Sequence, residues 1–117
     1  MEISQEQYNE ILERLNNIEF RQELLFENDE VSRILFEHEI TQSQYRLIMD
    51  LMDEYRNRIR DNEDVSHGDF ERRIYNIVPN KDGNYHFCEE IALAFKERNQ
   101  WEEVFENLYG NMPKYSD

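Results

Sequence analysis

The decapeptides EISQEQYNEI (residues 2–11) and EITQSQYRLI (residues 39–48) are identical at six of ten positions. Each sets an apolar residue (Ile3, Ile40) before a hydroxyl residue (Ser4, Thr41). An amide follows three residues later (Gln7, Gln44), then a tyrosine (Tyr8, Tyr45). That order joins a capping box to a hydrophobic staple: the hydroxyl and the amide satisfy each other's orphan backbone N–H groups, and the apolar pair sets the entry angle. The same arrangement, with an acid at the third position, returns as Val65-Ser66-x-x-Asp69-Phe70. Helices are therefore predicted to start near residues 5, 42 and 67. The match of the first two is read as one cap solution used twice, with duplication of a helical hairpin as the alternative. A single pair falls short of the roughly three repeats that a solenoid needs.

Outward from these starts, apolar periodicity fills in the helices. Tyr8, Ile11, Leu15, Ile18 and Leu25 occupy heptad a and d positions, with Gln22 at one a position. The seam turns polar at Asp29 and Ser32, so the first helix is predicted to break near Asn28–Asp29. A second helix, carrying Val31, Ile34 and Leu35, follows to about His38. The third, Gln42 to about Arg60, repeats the 3-4 spacing with Tyr45, Ile48, Met52, Tyr55 and Ile59. Leu47, Met49 and Leu51 broaden its stripe, which implies contact on more than one side. A fourth helix carries Phe70, Ile74 and Ile77 and must stop before Pro79. A turn at 80–84 leads to a fifth with Phe87, Cys88, Ile91 and Phe95. Asn99 and Glu102 resemble a further capping box, opening a sixth with Trp101, Val104, Phe105 and Leu108; Gly110 suits its C′ position and Pro113 closes it. No glycine or proline occurs before residue 68, and no run alternates long enough for a strand. The fold class is all-α, a multihelical bundle of five to six helices in one domain, residues 1–110, with 111–117 as a loose tail.

Composition bounds the function. The 117 residues are 38% apolar, below the usual ~45–50%, which fits long helices that complete their burial on a partner subunit. The net charge of −14 comes from 27 acidic and 13 basic residues; it favours solubility, repels nucleic-acid phosphates and makes a basic protein surface the complementary partner. One cysteine allows no internal disulfide, and the longest apolar run is the five residues Ile91–Phe95. The expectation is a cytoplasmic protein with no membrane partner.

The sites that chemistry would need fall short. Asn80-x-Asp82-Gly83-Asn84 has the look of a calcium loop, but the first ligand position would be Val78, followed by Pro79. His38-Glu39 lacks the second histidine of a zinc-protease helix, no Glu-x-x-His pair occurs, and His86 and Cys88 lie two apart on different helix faces. No metal, cofactor-binding or catalytic residue is therefore assigned. Cys88, in an apolar stripe, reads as a packed thiol. Arg56, Arg58, Arg60, Arg72 and Arg73 form the one basic group, balanced by nearby acids; ion pairs are its ordinary reading and an anion site its alternative.

Three stretches, QYRLIMDLMDEYRNRI (44–59), SHGDFERRIYNIVP (66–79) and HFCEEIALAFKERNQWEEVFENLYG (86–110), resemble the YhaI-like family, short acidic helical proteins of bacilli with no assigned activity. That resemblance implies an all-helical, self-associating protein and carries over no site residue. The functional expectation is a homo-oligomeric interaction module, dimer or trimer, assembled through Tyr8, Ile11, Leu15, Ile18 and Leu25. Gln22 is placed to fix its register. Two readings from other classes compete: an enzyme or small-ligand binder with a polar site between helices or subunits, recognisable by converging carboxylates, arginines and a perturbed histidine, and an acidic decoy for a nucleic-acid-binding protein.

Overall fold

The computed structural model describes residues 2–115. Among them are six α-helices and no strand: α1 (Gln5–Glu27), α2 (Glu30–Glu37), α3 (Gln42–Arg60), α4 (His67–Ile77), α5 (Tyr85–Glu97) and α6 (Glu102–Tyr109). The three cap-based starts fall where the sequence sets them, and the first helix breaks at Asn28. The chain forms two compact units, one ending at Gln42 and one beginning at Ser43.

The first unit is the α1–α2 hairpin. Asn28 ends α1 in the left-handed conformation (φ 50°), a geometry asparagine tolerates better than most residues. Asp29 then caps α2, its carboxylate accepting the Ser32 N–H at 2.7 Å. Phe20 and Leu24 of α1 are buried, as are Val31, Ile34 and Leu35 of α2. Arg21 locks the hairpin. Its guanidinium donates to the Phe36 carbonyl at 3.4 Å and lies 4.1 Å from the centre of the Phe36 ring, a cation–π contact.

The second unit is built around α5. Phe87, Cys88, Ile91, Ala92, Ala94 and Phe95 are all buried, so α5 is covered on nearly every side, as a central helix must be. Ile48, Met52 and Tyr55 of α3, Phe70 and Ile74 of α4, and Val104, Phe105 and Tyr109 of α6 complete this core. Aromatic edges knit it: Tyr55 meets Phe70 at 5.5 Å and Phe95 meets Trp101 at 4.9 Å between ring centroids, both near perpendicular.

Helix ends are where structure and sequence part. The expected capping box at Asn99 and Glu102 does not form. Asn99 instead takes φ 64° as the C′ residue of α5, with its N–H donating to the Lys96 carbonyl at 2.9 Å and the Gln100 N–H donating to Phe95 at 2.8 Å. That pair of bonds is a Schellman motif, and it commits Asn99 to finishing one helix rather than opening the next. The residue at the N-cap of α6 is Trp101, itself left-handed (φ 50°) and without a side-chain cap bond. Its indole is held by Asp53, which accepts the Nε1–H at 2.8 Å.

Schellman bonds also close α2, with Glu39 at φ 55°, and α3, with Asn62 at φ 61°. Gly110 is not the left-handed C′ expected of it: its φ is −61°. Glycine serves there by leaving room, since a Cβ would fall 2.6 Å from the Glu106 carbonyl oxygen. At the third cap, Ser66 accepts the Asp69 N–H at 3.2 Å, but the Asp69 carboxylate turns elsewhere, to Tyr55 and Arg72, so the reciprocal half of the box is absent.

Candidate functional site

The residues assigned to self-association lie on one helix, and the structure leaves them open. α1 begins with the full capping box: Gln7 N–H donates to Ser4 Oγ at 3.1 Å, and Ser4 N–H donates to Gln7 Oε1 at 3.0 Å. From Ser4 to Glu19 every residue is exposed. Tyr8 (53%), Ile11 (47%), Leu15 (50%), Ile18 (52%) and Leu25 (59%) keep about half their surface in solvent, and Phe26 keeps 92%. The buried pair Phe20 and Leu24 faces α2, so α1 carries two apolar faces and only one is covered within the hairpin.

The third helix differs. Ile48, Leu51, Met52 and Tyr55 are buried, Tyr45, Met49 and Ile59 are half-buried, and Leu47 stays 51% exposed.

The arginine group resolves into ion pairs. Arg73 grips Glu54 with two parallel bonds, 2.8 and 2.9 Å, and this hydrogen bonding holds the Glu54 carboxyl below its ordinary pKa. Arg72 reaches Asp69 at 3.3 Å, Arg58 the same carboxylate at 3.6 Å, Arg60 its neighbour Asp61 at 3.7 Å, and Arg56 pairs with Glu103. Two of the four carboxylates in these pairs, Glu54 and Glu103, come from outside the 56–73 segment. The nearest acids in sequence were not the whole answer. Asp69 also accepts the Tyr55 hydroxyl, the largest influence lowering its pKa.

A cleft of about 280 Å³ between α3 and α4 is lined by Leu47, Asp50, Leu51, Glu54, Arg73, Asn76 and Ile77. Its two best-placed charges, Glu54 and Arg73, are bonded to each other. No histidine lines it.

The core holds polar groups that sequence reasoning missed. Tyr109, fully buried, donates to Glu71 at 2.8 Å, and burial together with that carboxylate pushes its phenol far above the ordinary tyrosine pKa. His67 Nδ1 stands 3.5 Å from the same Glu71 oxygen. Glu89 is buried on α5, where Lys114 donates to it at 2.6 Å and Tyr115 at 3.3 Å. The stretch expected as a loose tail thus has Pro113–Tyr115 as a 3-10 turn fastened to α5; residues 116–117 lie outside the described part. Cys88 is buried, and desolvation pushes its thiol up to about 12. Among the described residues no group of three or more His, Cys, Asp or Glu side chains is arranged to hold a metal ion, and no helix is long and apolar enough to cross a membrane.

No family model matches the chain, and neither a curated protein nor a solved structure shows significant similarity to it.

Proposed function

We propose that this protein is a cytoplasmic, homo-oligomeric protein-interaction module that assembles through α1. One observation carries the reading: four turns of helix, Ser4 to Glu19, with every residue exposed and a heptad seam of Tyr8, Ile11, Leu15 and Ile18 among them. In proteins most helical stability comes from packing an apolar face rather than from propensity, and these turns leave theirs in solvent. Burying the remaining half of each seam side chain is worth roughly 1 kcal/mol. Over the five residues of each of two helices that makes roughly 10 kcal/mol against an association cost of at least ~4 kcal/mol, which leaves about 6 kcal/mol, an assembly held at about tens of micromolar. The YhaI-like resemblance points the same way.

The net charge of −14 opposes assembly, and salt should relieve the repulsion. The same charge makes a basic protein surface the fitting second partner and a nucleic acid or a membrane an unfitting one. The rival reading, an enzyme or small-ligand binder, has the α3–α4 cleft in its favour. That cleft is smaller than the ~300–1,000 Å³ usual for ligand sites, and its opposed charges already satisfy each other. Sedimentation equilibrium at tens of micromolar in moderate salt tests the proposal. An oligomer that Leu15→Asp dissociates, without loss of helical signal from the second unit, is the expected result. A clean wild-type monomer would end it.

A further inference from the structure

We infer that α1 joins the α1 helices of two further copies in a parallel, in-register, three-stranded coil. The inference rests on the proposed self-association and adds its partner number and direction. With Tyr8 at a, the a positions are Tyr8, Leu15 and Gln22 and the d positions Ile11, Ile18 and Leu25. Leucine at a with isoleucine at d disfavours two strands and shifts coils toward three or four. Leu12 and Phe26, at the flanking e positions, are 40% and 92% exposed. In a three-stranded coil each helix has two neighbours, so these flanks are covered as well as the seam.

Direction follows from Gln22 and from charge. Any antiparallel pairing sets a positions against d positions, so Gln22 would face Ile11, Ile18 or Leu25, and its amide would be desolvated without a partner. A parallel, in-register coil sets Gln22 against its own copies, each amide able to donate and accept. The same register brings a g residue to the e residue five positions on in its neighbour. Arg14 is at g and Glu19 at e, both exposed, so a ring of opposite charges forms. An antiparallel coil would instead set Arg14 near Arg14 or Arg21, because g then faces g.

The remaining acids of α1 fit the same geometry. Glu6, Glu10, Glu13, Glu23 and Glu27 all occupy b, c or f positions, turned away from the seam. Phe20 and Leu24, which bury against α2, are at f and c. Hairpin packing and the coil seam therefore use opposite faces of α1, with Arg21, at g, reaching Phe36 from the flank between them. Of the three or four strands that the seam favours, three bring together fewer copies of a chain that carries −14, so charge repulsion favours three over four.

Spin labels placed singly at Asn9, Asn16 and Glu23, all exposed b positions, read both properties when paired with sedimentation equilibrium. Cys88, being buried, stays unlabelled. The expected result is a mass of three chains and one interlabel distance common to the three sites. A short distance at Asn16 with distances about 20 Å longer along the axis at Asn9 and Glu23 would show an antiparallel contact. That outcome overturns this inference while the self-association reading survives, as would equal distances in a two-chain species. A monomer sinks both. As a second arm, Arg14→Glu and Glu19→Arg should each weaken assembly at least several-fold, and the double variant should recover most of the loss. A double variant no better than the singles removes the Arg14–Glu19 ring.

Discussion

Tyr109 and Glu71, 38 positions apart in sequence, meet at 2.8 Å with the tyrosine wholly buried. The bond ties α6 to α4 inside the second unit. A buried phenol needs an acceptor, and a carboxylate at the edge of a core needs a donor, so each residue makes the other tolerable. Tyr109→Phe removes the donor and leaves the ring in place. Destabilisation by about 1–3 kcal/mol is expected in urea unfolding followed by near-ultraviolet signal. A variant as stable as wild type would show that solvent already satisfies Glu71.

Acid should weaken the second unit before it unfolds by other routes. Asp69, Glu54 and Glu103 are held below their ordinary pKa values, chiefly by hydrogen bonds from Tyr55, Arg73 and Arg56 respectively. A carboxylate whose folded pKa is depressed contributes stability above its unfolded value, near pH 4, and loses that contribution as pH falls through the folded value. The urea midpoint should therefore hold steady above about pH 5 and drop below about pH 4. Arg73→Met, which releases Glu54, should make that drop shallower. A midpoint that falls between pH 7 and 5 would need titrating groups other than these three.

Cys88 should be chemically silent in the folded protein. Its side chain is buried on α5 and its thiol is raised to about 12, so thiolate and access are both scarce near neutral pH. A thiol-specific disulfide reagent at about pH 8 should react slowly with the native protein and at the rate of a free thiol once concentrated urea unfolds it. Fast native labelling would mean that the second unit opens readily around α5.

Glu39 sits in a left-handed backbone conformation that does not suit it. It ends α2 at φ 55°, where a Cβ crowds the following carbonyl, and glycine would adopt the same angles without that clash. The unfolded chain gains freedom from glycine, which offsets part of the benefit. Glu39→Gly should therefore stabilise the α1–α2 hairpin by about 0.5–1 kcal/mol, read as a higher midpoint in thermal unfolding. A lower midpoint would show that the Glu39 side chain contributes more than its strain costs.

The helix starts at Ser4 and Ser66, the break at Asn28 and the seam of α1 could all be read from the chain itself. Caps and heptads are bonds and contacts between residues three or four apart, so their energies are set by neighbours in sequence. The candidate face was legible for the same reason, because spacing alone puts Tyr8, Ile11, Leu15 and Ile18 on one side of a helix. That this side stays exposed was not legible, since exposure depends on what else packs there. Long-range partners were equally hidden. Asp53 and Trp101, Glu54 and Arg73, Glu89 and Lys114 lie 19 to 48 positions apart, in a chain with many other acids to choose from. Asn99 shows how tertiary structure overrules a local cue. Its spacing to Glu102 invites a cap, but the end of α5 claims its backbone, and the anchoring of Trp101 by Asp53 and Phe95 sets where α6 begins. Local hydrogen bonds set where helices can start; burial of side chains from distant segments decided which of those possibilities was taken.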